Sequence, residues 1–99
     1  MKQISSKTAE EIYNIMREYG AGYEDYILSG WDDYWDLVIR DLDGWELQYS
    51  EIESEPYEVS FIKNFKDNGT MNRIKIRTYK NLRPALKHII KQLNNLRGA

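Results

Sequence analysis

WDLVIRDLDGWELQYS, residues 35–50, is the stretch that decides how this chain folds. Trp35 to Leu42 is rich in β-branched and large apolar residues, and Asp43-Gly44 is a dipeptide that favours a tight hairpin. Trp45 to Ser50 then alternates apolar and polar. With a strand period of two, Trp45, Leu47 and Tyr49 fall on one face and Glu46, Gln48 and Ser50 on the other. Working outward, Glu53-Ser54-Glu55-Pro56 reads as a polar connection, and Tyr57-Glu58-Val59-Ser60-Phe61 resumes the alternation toward Phe65. Lys66 to Thr70 reads as a second turn. Arg73 to Tyr79 is a fourth strand, with Ile74, Ile76 and Thr78 opposite Arg73, Lys75 and Arg77.

Helices flank the strands. Thr8-Ala9-Glu10-Glu11 has the form of a capping box, Ile12, Ile15, Met16 and Tyr19 recur at helical spacing, and Gly20 is a natural stop. This predicts a helix over about residues 9–19. At the other end Leu82, Ala85, Leu86, Ile89, Ile90, Leu93 and Leu96 form one apolar stripe, with Pro84 in a first turn that tolerates it and Gly98 beyond the end. Between the first helix and Trp35 the pattern is weaker. Tyr23 to Leu28 reads as a short strand or a loop, and Ser29-Gly30-Trp31-Asp32 as the start of one helical turn.

Four strands joined by short connections imply an antiparallel meander, because parallel neighbours need long crossovers. Two helices with single apolar stripes must cover something, and one sheet face is the available partner. The expected fold is therefore α+β, a two-layer sandwich in the order αββββα, formed as a single domain over residues 1–99 and leaving the second sheet face wholly or partly exposed.

Composition narrows the chemistry. The chain has 13% aromatic residues and no Cys, which excludes disulfides, thiolate metal sites and thiol nucleophiles. No apolar run approaches the roughly 18 residues that span a bilayer, and no secretory signal is visible, so the expectation is a cytoplasmic protein with no membrane partner. Charge is divided along the chain: residues 1–56 hold 14 Asp/Glu against 4 Lys/Arg, and residues 57–99 hold 2 against 10. Such asymmetry points to charged partners, or to acidic and basic strands lying side by side.

Catalytic and cofactor signatures do not emerge. His88 lies next to the apolar stripe of the last helix, where packing is the commoner role. Asp41-Leu42-Asp43-Gly44 resembles part of a calcium loop, but Ile39 stands where a ligand is needed. Asn68-Gly69-Thr70 matches a glycosylation sequon and reads better as a turn. We therefore expect no catalytic residues, no metal and no cofactor.

Two charged surfaces remain. The first is EDYILSGWDDYWD, residues 24–36, in which aromatic residues alternate with carboxylates. Glu24, Asp25, Trp31, Asp32, Asp33, Tyr34, Trp35 and Asp36 are the expected partner-binding face, its rings giving contact area and its carboxylates steering a basic protein partner. The second is a basic set, Arg73, Lys75 and Arg77 on a strand with Arg83, Lys87 and Lys91 on the last helix. It defines an alternative in which the chain is a small nucleic-acid-binding or regulatory module. A third reading pairs the two surfaces in a homo-oligomer.

The acidic-aromatic character of residues 22–53 resembles that of small phage-encoded inhibitors of bacterial defence systems, including anti-CRISPR proteins. Several of those present acidic surfaces to the nucleic-acid sites of nucleases. The resemblance is one of general character and carries no residue-level role. It implies an inhibitor whose partner is a nucleic-acid-binding enzyme. The basic C-terminal part is a departure, since it brings the whole chain to only −2, so any mimicry of nucleic acid would be one-sided.

Overall fold

The computed structural model describes residues 4–40, 44–63 and 72–96. Its elements are α1 (Ser6–Glu18), a short 3-10 turn (Tyr23–Asp25), β1 (Tyr26–Trp31), β2 (Tyr34–Ile39), β3 (Trp45–Ser50), β4 (Tyr57–Lys63), β5 (Asn72–Tyr79) and α2 (Leu82–Leu96). The strands pair antiparallel in chain order, β1-β2-β3-β4-β5. The α+β class and the meander are as expected, but the sheet has five strands rather than four.

The additional strand is β1, and it includes the Ser29–Trp31 segment expected to begin a helical turn. It pairs with β2 from Tyr26↔Ile39 to Trp31↔Tyr34, leaving a two-residue connection at Asp32-Asp33. Tight hairpins usually announce themselves by a Gly or Asn that takes positive φ inside the turn. Here, among the described residues, no residue other than glycine has positive φ, and the unusual conformation is carried one residue before the hairpin end by Gly30, at φ +120°. A side chain there would collide with the opposite strand: an added Cβ would lie 2.5 Å from the Tyr34 carbonyl oxygen and 2.8 Å from Trp35 Cα.

Strand alternation sets the inner face. One row runs Trp35, Tyr49, Tyr57, Tyr79 across β2 to β5, and the next runs Leu28, Leu37, Leu47, Val59 across β1 to β4. Leu37, Leu47 and Val59 are fully buried. The α2 stripe, Ala85, Leu86, Ile89, Ile90 and Leu93, closes over β3, β4 and β5, while Ile12, Ile15 and Met16 of α1 join the same core beside α2. Each Leu, Ile or Met among them contributes roughly 1.5–3 kcal/mol on burial. His88 sits at the edge of this layer, half-buried, with Nδ1 2.7 Å from the Tyr79 hydroxyl. That is the packing role expected of it.

Two local expectations shift. Ser5, not Thr8, caps α1, its hydroxyl accepting the Thr8 N–H, so the helix begins a turn earlier than residue 9. At the C-terminus Gly20 N–H donates to the Arg17 carbonyl and Ala21 N–H to that of Met16, a closed helix end that uses the positive φ of Gly20. In β5 the pairing jumps from Val59↔Arg77 to Ser60↔Lys75, so Ile76 is the extra residue of a bulge. Residues 41–43 of the calcium-loop fragment, the Lys66–Thr70 turn with its sequon, and Gly98 lie outside the described residues.

Glycine substitution separates two of the three positive-φ sites among the described residues, Gly20 and Gly30. Gly20, which has nothing within 4 Å of an added Cβ, should lose about 1 kcal/mol on Gly20→Ala, the left-handed backbone cost alone. Gly30→Ala should cost about 3 kcal/mol, because backbone clash adds to the strain. Urea unfolding of the two variants measures this, and equal losses would contradict the placement of β1.

Candidate functional site

Among the described residues, no helix covers the second face of the sheet. Register places Ile27, Ser29 and Trp31 of β1 there, then Tyr34, Asp36 and Val38 of β2, Glu46, Gln48 and Ser50 of β3, and Glu58 and Ser60 of β4. Beyond them stand Arg73, Lys75 and Thr78 of β5. Ile27, Val38, Trp31 and Tyr34 are exposed, as expected of apolar residues on an open face.

A polar network crosses the middle of this face. Arg73 donates through Nη1 to Glu46, through Nε to Glu58 Oε2 at 3.1 Å and through Nη2 to Gln48 Oε1 at 2.8 Å. Gln48 passes the chain on, its Nε2 donating to the Tyr34 hydroxyl at 2.8 Å. Ser60 donates to Glu58 at 2.6 Å, and Lys75 lies 3.6 Å from the other Glu58 oxygen. Neighbouring strands are about 4.8 Å apart, so reaching Glu46 from β5 means spanning about 10 Å, a distance suited to the long, forked arginine side chain. The basic strand thus neutralises the acidic ones here by lying beside them.

Burial acts unequally on the three carboxylates. It raises Asp36 above its ordinary value, a shift that the hydrogen bond from Gln48 and the charge of Arg73 only partly oppose. The Oδ1 atom of Asp36 is buried and finds no hydrogen-bond partner among the described residues. Burial and the charge of Asp36 raise Glu46, against the pull of Arg73. Burial would raise Glu58 as well, but hydrogen bonds from Ser60 and Arg73 and the charges of Arg73 and Lys75 prevail, and Glu58 is lowered.

The carboxylates of residues 24–36 do not form one surface. Glu24 and Asp25 lie before β1, at the far end of the sheet from the Asp32-Asp33 turn, about 17 Å away along the strand. Asp25 is only 7% exposed, and its carboxylate accepts the Gly22 N–H at 2.8 Å, a turn-closing role. Trp35 belongs to the core at 2% exposure, stacked on Tyr49 with ring centroids 5.5 Å apart. Both are corrections to the expected face: Trp35 alternates inward from Tyr34 and Asp36, and Asp25 is spent on the backbone. Asp36 is half-buried within the network. Asp32 accepts the Ser5 N–H at 2.8 Å.

Apart from Glu24, the exposed members of the expected face gather at one end. The β1–β2 turn and the β3–β4 connection meet there, with Glu51 N–H donating to the Asp33 carbonyl at 3.0 Å. Asp32, Asp33, Glu51, Glu53 and Glu55 are all exposed at this end, beside Trp31 and Tyr34, which face each other across the hairpin at 37% and 43% exposure. Ile52, between two of these glutamates, is 90% exposed. Nearby, Tyr49 is raised first by burial and then by the charges of Glu51 and Asp33. A concavity beside Tyr34 is lined by Glu53, Glu55 and Glu58, and its lining cation, Lys75, is the one held by Glu58. Glu51, Ile52, Glu53 and Glu55 were missed as site residues. The signal was available: in a meander every second connection returns to the same end, but using it required β1.

The basic set is also divided. Arg73 and Lys75 are on the open face, whereas the bulge at Ile76 turns Arg77 to the helix side of the sheet. The expected single line of Arg73, Lys75 and Arg77 is therefore broken. Arg83 pairs with Glu18 of α1 at 2.9 Å, which removes it from the expected line with Lys87 and Lys91.

Among the described residues no group of three or more His, Asp or Glu is placed to hold a metal ion, and no helix is long and apolar enough to cross a membrane. Comparison with protein-family models, curated proteins and solved structures found no match.

The network predicts an opposed pH dependence. Folded Asp36 holds its proton to higher pH than the unfolded chain does, so its contribution to stability falls as pH rises from about 3.8 through the folded value. Glu46 acts in the same sense from 4.5 upward, and Glu58 in the opposite one, its contribution being lost as pH falls through its folded value. Asp36→Asn should therefore unfold at higher denaturant concentration than the parent at neutral pH, with the gap closing toward acid. A gap that is constant with pH would contradict the assignment.

Proposed function

We propose that this chain is a non-enzymatic binding protein that uses the acidic-aromatic end of its open face to occupy a basic site on another protein. The observation that carries the reading is the juxtaposition at one sheet end of three exposed large apolar residues, Trp31, Tyr34 and Ile52, with five exposed carboxylates, Asp32, Asp33, Glu51, Glu53 and Glu55. Rings and aliphatic chains supply contact area that gains from desolvation, and a surrounding rim of one sign steers encounter and rejects acidic competitors.

The partner class follows from the same chemistry. A protein site built to hold a phosphate backbone is lined with Arg and Lys, and a row of carboxylates is complementary to it. Together with the resemblance to small phage-encoded anti-defence inhibitors, this favours the nucleic-acid groove of a bacterial defence nuclease as the target, with inhibition by occupation. Glu24 and Asp25 are too far along the sheet to share this contact, and Trp35 supports the face from behind.

The test uses residues that touch neither the core nor the Arg73 network. The chain and two variants, Asp33→Asn/Glu51→Gln/Glu53→Gln and Ile52→Ser, are immobilised and exposed to an extract of the cells in which the protein acts. Captured proteins are identified and their affinities measured at several salt concentrations. A basic partner should bind the charge variant at least tenfold more weakly with a flatter salt dependence, and bind Ile52→Ser more weakly at every salt concentration. Full retention of binding by both variants would overturn the proposal.

A further inference from the structure

On the helix side of the sheet, between the outer edge of β5 and α2, lies a groove lined by Arg77, Tyr79, Pro84, Lys87, His88 and Lys91, with Gln92 at its margin. We propose that this groove is a binding site for a phosphate group, distinct from the acidic-aromatic end and on the opposite side of the sheet from it.

Three cations converge there. Lys87 and Lys91 are one helical turn apart on α2, about 6 Å between Cβ atoms, so both ammonium groups can reach one oxyanion. Arg77 approaches from β5, held with its guanidinium 4.8 Å from the centre of the Tyr79 ring. The bulge at Ile76 puts it there: without the extra residue Arg77 would share the open face with Arg73 and Lys75. Charge use separates this trio from the other cations of β5 and α2. Arg73 and Lys75 are paired with Glu46 and Glu58, and Arg83 with Glu18. Arg77, Lys87 and Lys91 form no ion pair among the described residues, and no Asp or Glu occurs from residue 68 to residue 99.

Three positive charges around one concavity repel one another unless an anion joins them, and a phosphate matches them in charge and in acceptor number. The arginine fork suits two of its oxygens, and the lysines act as point charges on the third. His88 reports on this field. Facing it are Arg77 and Tyr79 from β5, Lys87 and Lys91 on its own helix, and the uncharged Trp45 from β3. Burial, then Arg77 and Lys91, hold its imidazole below the ordinary value. A bound dianion offsets the cationic contribution and moves the titration upward.

The phosphate could come from a small molecule or from a nucleic-acid backbone, and both meet the same three cations. The test therefore follows the His88 ring resonances by NMR while adding inorganic phosphate, ADP or a single-stranded oligothymidylate to the folded chain at fixed ionic strength, with chloride as control. At least one of the three should give saturable shifts and raise the His88 titration midpoint. Lys87→Gln/Lys91→Gln and, separately, Arg77→Gln should each weaken that binding at least tenfold without changing the unfolding midpoint, since all three side chains are exposed. Tightest binding of oligothymidylate identifies a backbone as the source, and preference for ADP or phosphate identifies a small molecule. Shifts that match chloride, no shifts with any of the three, or equal binding by the Lys87/Lys91 variant would overturn the site.

Discussion

The period of two along each strand, with one face sealed by helices, is the constraint on which the rest of the structure depends. Once Leu37, Leu47 and Val59 form a buried row under α2, every neighbour in sequence is committed to the other face. Asp36, Val38, Glu46, Gln48, Glu58 and Ser60 are outward for that reason alone, whatever their chemistry. A one-residue slip in any of these pairings would place carboxylates under the helices. The open face is thus a by-product of core packing, and its composition is where selection for function can act without touching the core.

Part of the charge that distinguishes the two halves of the sequence, Arg73 with Glu46, helps to hold that face together, and Lys75 joins Arg73 on Glu58. Arg73 reaches across β4 to Glu46 on β3, and Gln48 extends the network to Tyr34 on β2. These bonds tie four of the five strands on the side where no helix does so. The cost falls on Asp36 and Glu46, which are raised by burial near each other. Set apart from these internal pairs are two charged regions on opposite sides of the sheet, the exposed carboxylates around Ile52 and the Arg77, Lys87 and Lys91 trio. A net charge of −2 conceals both.

The sheet from Trp35 onward and α2 were legible because their patterns are strict: Leu47 alternates cleanly within β3, and the stripe from Leu82 to Leu93 recurs at helical spacing. The β1 strand was not, because its hairpin lacks a turn glycine, its positive φ sits at Gly30 inside the strand, and Ser29-Gly30-Trp31-Asp32 carries helix-starting residues. Missing β1 had a consequence for the site. Without the hairpin, Trp35 looked as available as Trp31, though alternation buries the first and exposes the second. It also hid that Asp33 and Glu51 meet, because that contact is set by strand order rather than by sequence proximity. The bulge at Ile76 was equally invisible: Arg73, Lys75 and Arg77 are evenly spaced in sequence, and only the pairing with Val59 and Ser60 divides them. Class and core were therefore readable from periodicity, whereas the composition of each surface depended on two local irregularities that periodicity does not encode.

Hydroxyl-radical footprinting of the chain alone and in its captured complex tests the central claim most directly. Free chain should label Trp31, Tyr34 and Ile52 while Trp35 stays protected, and the complex should protect the first three and leave the Pro84 and Lys87 side of α2 unchanged. Labelling of Trp31, Tyr34 and Ile52 that is the same with and without the partner would contradict the account.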